Sequence, residues 1–148
     1  ILKEVRFDII KIDGQFIRDI HSDRDNQALH LVNAGHDPSI IYHRDSCEFE
    51  ELAGNSLPLG VSETAVYQKF DKKIAPGQII MMGTDGIWES QSPQGEMFGK
   101  EPVFRILQKY APSSASEILE AILDALNKFR ESAKLEDDIT LVIIKICN

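Results

Sequence analysis

Apolar and polar positions along this chain follow two periods, and the switch between them marks its organisation. Val5-Arg6-Phe7-Asp8-Ile9-Ile10-Lys11-Ile12-Asp13 is rich in β-branched residues and runs into Gly14, which predicts a buried strand leaving through a turn. His21 to Gln27 carries no apolar side chain and predicts a loop or the start of a short helix. Leu29 to Gly35 then alternates weakly and Ser39 to His43 resumes after Asp37-Pro38, the pattern of two strands joined by a turn. Arg44-Asp45-Ser46 predicts a further turn before the short run Phe49 to Leu52. Leu57-Pro58-Leu59-Gly60-Val61 is a loop by its punctuation, and Val66 to Ile74 has a loose period of two that Ala75-Pro76-Gly77 closes. Gln78 to Gly83 is a nearly continuous apolar run, as in strands covered on both faces, and it delivers Thr84-Asp85-Gly86 at its end.

The last third changes to the helical period. Val103, Phe104, Ile106, Leu107 and Tyr110 share one face after Pro102, and Ala111-Pro112 stops that helix. Ser114-Ala115-Ser116-Glu117 has the form of a capping box, and Ile118, Leu119, Ile122, Leu123, Leu126 and Phe129 make one apolar stripe behind it. Glu117, Glu120, Asp124, Lys128 and Glu131 fall on the opposite, solvated face. Leu135-Glu136-Asp137-Asp138 leads into Ile139 to Ile146, a terminal strand too apolar to be an exposed edge. Strands, two amphipathic helices and a closing strand predict an α+β layered domain.

Composition narrows the class of function. A chain of 148 residues with 43% hydrophobic and 27% charged side chains can build a real core without disulfide or metal staples. A net charge of −8 offers no source for the counterion release that drives nucleic-acid binding, so a nucleic-acid partner is not expected. No apolar run approaches the roughly 20 residues that cross a bilayer, and Ile1-Leu2-Lys3-Glu4 lacks the form of a secretion signal. With two widely separated cysteines, Cys47 and Cys147, and neither in a context that activates a thiol, the expected compartment is the reducing cytoplasm. The chain opens on Ile1 rather than Met, which suggests a piece or a processed product of something longer.

Acidic residues at the ends of apolar strands are the candidate chemistry. Asp85 follows an apolar run and is flanked by Gly83 and Gly86, which let the backbone turn tightly beside a ligand. Asp137 and Asp138 stand directly before another apolar strand. Carboxylates with no His/Cys cluster suit a hard cation such as Mg²⁺ or Mn²⁺. The same residues also suit a plain turn at Asp85 and a strand cap at Asp137 and Asp138.

From about Leu29 to the end the chain resembles the C-terminal part of a SpoIIE/RsbU-type phosphatase, a bacterial branch of the metal-dependent (PP2C-like) protein phosphatases. The blocks that carry the likeness, in order, are Val32-Asn33-Ala34-Gly35-His36-Asp37-Pro38, Leu57-Pro58-Leu59-Gly60-Val61, Gly83-Thr84-Asp85-Gly86-Ile87-Trp88-Glu89, Phe98-Gly99 and Asp137-Asp138-Ile139-Thr140. The resemblance implies a partial α-β-β-α sandwich. It also implies hydrolysis of phosphoserine or phosphothreonine on a regulatory protein of a bacterial partner-switching system, with Mn²⁺ or Mg²⁺ activating a water. It makes Asp85 and Asp137 metal ligands; Gly86, Asp138 and His36 are candidate site neighbours, His36 before Asp37-Pro38 equally suiting a turn residue, and Trp88 is expected to pack under the metal loop rather than bind substrate. The family's upstream Gly-Asp-x-x-Gly-His-Gly motif has no match between Ile1 and Ala28, where Asp13-Gly14 continues as Gln15-Phe16-Ile17. One side of a metal site is therefore expected, with at most one weak cation site.

Residues 1–28 resemble something else. Phe7 to Ile20 is similar to a piece of an EAL domain, the cyclic-di-GMP phosphodiesterase barrel, including its strand lysine, here Lys11. The carboxylates of that family are absent, so Lys11 is expected to be structural, its stem packed and its ammonium in water. Two segments follow, 1–28 EAL-like and 29–148 phosphatase-like, with the first supplying an added N-terminal strand and the join suggesting a chimera by recombination or fusion. The readings left open are an active phosphatase, a catalytically silent chimera or fragment, and a regulatory module that binds a switch protein without chemistry. Self-association through an open sheet edge is a further expectation.

Overall fold

The computed structural model describes residues 10–12, 15–18, 28–54, 57–133 and 137–147. Most of the expected strand from Val5, with Asp8 and Asp13, lies outside them. The chain divides into two compact units, Ile1–Pro38 with Leu52–Pro76, and Ser39–Glu51 with Gly77–Asn148.

The first unit is built on an antiparallel sheet of β1 (Ile10–Ile12), β2 (Gln15–Arg18), β3 (Ala28–Asn33) and β6 (Lys69–Lys73), in that order. Strict alternation along β3 buries Leu29, Leu31 and Asn33 completely, while His30 turns outward against its register partner Asp71. β6 keeps the expected period of two, with Phe70 and Lys72 half-buried between exposed neighbours. β2 and β3 pair from Gln15↔Asn33 to Arg18↔His30.

The second unit holds a sheet in the order β5-β4-β7-β8, from β4 (Ser39–His43), β5 (Glu48–Leu52), β7 (Ile79–Gly83) and β8 (Leu141–Lys145). Antiparallel register lines up Ile40, Met81 and Ile143 across three strands, and with Tyr42, Ile79 and Leu141 they form the sheet's share of the core. Two helices supply the rest. α1 (Glu101–Lys109) starts with Pro102 in its first turn and buries Val103 and Leu107, and α2 (Ala115–Arg130) buries Ile118, Ile122 and Leu126. The capping box opens α2 as the sequence predicts, Ser114 and Glu117 satisfying each other's backbone N–H. Lys145 on β8 donates from Nζ to the carbonyls of Ala111, at 2.8 Å, and Ser113, so a cation ties the turn between α1 and α2 to the sheet.

Two expectations change. β3 and β4 exist but do not pair as a hairpin, because the turn at 34–38 carries the chain from one sheet into the other. The strand Ile139 to Ile146 shortens to β8, which stands at the edge of its sheet among the described residues. Its five residues are all half-buried, because Leu141 and Ile143 face the helices while the outer edge carries no described strand. Composition alone cannot separate an apolar edge from an apolar centre.

Candidate functional site

The acidic residues gather where β7 ends and β8 begins. Antiparallel pairing sets Gly83 opposite Leu141, so the loop leaving β7 and the loop entering β8 lie side by side at one end of the sheet. The β7 loop is a tight helical turn: Ile87 N–H donates to Thr84 O at 3.1 Å and Glu89 N–H to Asp85 O at 2.8 Å. Ile87 and Trp88 are buried beneath it, as the sequence leads one to expect of Trp88, while Asp85 stays exposed.

Gly86 is where the two loops touch. A Cβ placed there would lie 2.6 Å from the Asp138 carbonyl oxygen and 3.5 Å from that of Asp137, so only a residue without a side chain lets the loops close. Each of the two key carboxylates is oriented by the amide that follows it. Gly86 N–H donates to Asp85 Oδ1 at 3.0 Å, and Asp138 N–H to Asp137 Oδ1 at 2.7 Å. Both Asp137 and Asp138 are exposed. The groups offered are all oxygens on two apposed loops, which fits a hard cation that takes one or two carboxylates and retains its waters. Among the described residues no group of three or more His, Cys, Asp or Glu that could hold a metal ion is found.

His36 belongs to the first unit, on the turn after β3. That turn is held from inside by the fully buried Asn33, whose Oδ1 accepts from His36 N–H at 2.9 Å and whose Nδ2 donates to the carbonyls of His36, at 2.9 Å, and Asp37, at 3.3 Å. The His36 ring donates from Nδ1 to the Asp37 carbonyl at 3.1 Å, a carbonyl being able only to accept, which places a proton on that nitrogen. Gly35, at φ +78°, presses on Pro58 of the Leu57–Val61 loop, so two of the blocks singled out in the sequence pack together. Cys47 and Cys147 are exposed free thiols.

Asn33 and Thr84 stand within the family-like blocks, where the sequence assigns neither a role. Asn33 carries a usable signal, a polar residue on the buried parity of an alternating strand. Thr84 carries none, since its partners lie 54 and 56 residues away.

Comparison with known proteins defines the class first. The chain superposes on the SiaA-PP2C domain of Pseudomonas aeruginosa with a TM-score of 0.71 at 22% identity, covering 89% of this chain and 50% of that one. It also superposes on the phosphatase domain of SpoIIE from Bacillus subtilis, from crystals presoaked with Mn, with a TM-score of 0.60 at 20% identity, covering 84% and 53%. The fold is thus the α+β fold of PP2C-like phosphatases, present in part. Residues 20–146 match the family model of Stage II sporulation protein E, and the chain belongs to that family. The match begins upstream of the Leu29 boundary read from the sequence. Phosphoserine phosphatase RsbU of Bacillus subtilis is 28% identical over 121 residues, which are 82% of this chain and 36% of RsbU. The chain therefore spans about a third of the length of that curated relative. No helix of the described residues is long and apolar enough to cross a membrane.

Proposed function

We propose that the chain is part of a Mn²⁺- or Mg²⁺-dependent serine/threonine protein phosphatase that acts on a phosphorylated regulatory protein of a bacterial partner-switching system. Asp85 and Asp137 bind the cation, with Asp138 and Gly86 shaping the loops around it. The observation that carries this reading is the apposition of the two acidic loops across Gly86, inside a family match over most of the chain. A bound cation supplies an activated water and neutralises charge on the phosphoryl oxygens. The chain's own part is to hold two carboxylates in place, each steadied by a backbone N–H, at an exposed end of a rigid strand pair. Hydrolysis of a phosphoserine peptide in Mn²⁺, compared with Asp85→Asn, tests the reading. Equal rates for the two chains refute it.

A catalytically silent module, binding a phosphorylated switch protein without turnover, is favoured by one observation: among the described residues no group of three or more His, Cys, Asp or Glu that could hold a metal ion is found. Calorimetric titration with Mn²⁺ separates the two readings. Two tight sites support the phosphatase; one weak site, or capture of the phosphoprotein with no turnover, supports the silent module. The EAL-like segment and its join belong to this second reading. The apolar edge of β8 supports self-association of the chain, which light scattering over a concentration series would detect.

A further inference from the structure

Thr84 sits between the last residue of β7 and Asp85, and its side chain reaches across to the other acidic loop. Its hydroxyl donates to the Asp138 carbonyl at 2.9 Å and accepts from Thr140 N–H at 3.0 Å. Its own N–H donates to the Thr140 carbonyl at 3.0 Å. One residue therefore makes three hydrogen bonds that hold the entry to β8 against the exit from β7. The hydroxyl bonds are not part of the regular ladder, which ends at Gly83↔Leu141. Beyond that pair a single backbone bond remains between the two segments, from Thr84 N–H to the Thr140 carbonyl. Gly86, having no side chain, lets Asp138 close on the β7 loop, and the Thr84 hydroxyl adds two of the three bonds that hold the loops together.

We propose that Thr84 is the positioning residue of the acidic site: by tying the Asp138 carbonyl and the Thr140 amide to the β7 loop it sets Asp137 against Asp85, and the affinity of the chain for a divalent cation depends on that tie. The proposal rests on the cation-binding reading given above. Thr84 touches no cation itself. A hydroxyl is needed because one group must donate to a carbonyl and accept from an amide at once, which serine also does and valine, of the same shape, does not.

The test uses the whole chain as wild type, Thr84→Val, Thr84→Ser and Asp85→Asn. Two quantities are read: the dissociation constant for Mn²⁺, from the resonance signal of the free ion, and the hydrogen exchange of the Thr140 amide by NMR, metal-free and with Mg²⁺. Thr84→Val is expected to weaken Mn²⁺ binding by about tenfold or more and to speed exchange at Thr140, with Thr84→Ser close to wild type on both. In the wild type, Mg²⁺ is expected to slow exchange at Thr140, a readout that survives even if Thr84→Val does not fold. Unchanged Mn²⁺ affinity in Thr84→Val, with Asp85→Asn impaired, overturns the proposal and leaves the cation site standing. A serine variant as weak as the valine one overturns it too, because the hydroxyl is then not the cause. Wild type and Asp85→Asn binding Mn²⁺ equally overturns the cation reading itself, and the proposal with it.

Discussion

Replacing Gly86 by alanine probes the loop contact on which the site depends. The added Cβ would meet the Asp138 carbonyl oxygen at 2.6 Å and its carbon at 3.3 Å, where ordinary contact begins near 3.4 Å. Both obstructing atoms are backbone, so neither can rotate away, and the loops must part by most of an ångström. Separation stretches the hydroxyl bonds of Thr84, at 2.9 and 3.0 Å, before it disturbs the ladder below. Overpacking of this kind costs about 1–3 kcal/mol, which in a chain of this size lowers the melting temperature by about 2–12 °C. Differential scanning calorimetry of the metal-free chain measures it, with Gly83→Ala as the companion. There the nearest atom, also at 2.6 Å, is Ile87 Cδ1, the movable end of a side chain, and the nearest backbone oxygen is at 3.4 Å, so the loss should be smaller. A Gly86→Ala chain melting within about 1 °C of wild type, or one less harmed than Gly83→Ala, would refute the reasoning.

Three further outcomes follow from the same coordinates. Gly35→Ala combines a left-handed φ of +78° with a Cβ 2.7 Å from Pro58 N; overpacking of about 1–3 kcal/mol and left-handed strain of about 1–2 kcal/mol should both appear as a lower urea midpoint. Leu107→Ala, at a fully buried position of the helical core, should cost about 2–5 kcal/mol, whereas Leu59→Ala, at a position 51% exposed, should stay within about 0.5 kcal/mol; urea melts of the two compare them directly. The backbone N–H of Ser114, then its hydroxyl, hold the Glu117 carboxyl below the usual carboxylate range. A depressed folded-state pKa contributes stability that is present above the unfolded value and lost as pH falls through the folded one. The melting-temperature gap between wild type and Glu117→Gln should therefore be full at neutral pH and close under acid, and a gap that does not vary with pH would contradict this.

What the sequence alone determined was local. The capping box at Ser114, the apolar stripe of α2, the stop at Ala111-Pro112 and the fully buried run of β7 were legible because each is written within a few residues of itself. Asp85 and Asp137 were legible as acids at strand ends, and their family likeness as ordered blocks. Tertiary structure decided the rest. That β3 and β4 join different sheets rests on partners far along the chain, Phe70 opposite Leu31 and Ile80 opposite Ile41. That Thr84 spans to Asp138 and Thr140, and that Gly86 must be glycine, follow only once β7 and β8 pair in their particular register. The physical reason is range: caps and periodicity act over a turn or two of chain, whereas a steric contact or hydrogen bond between residues more than fifty positions apart leaves no mark on either segment until folding brings them together.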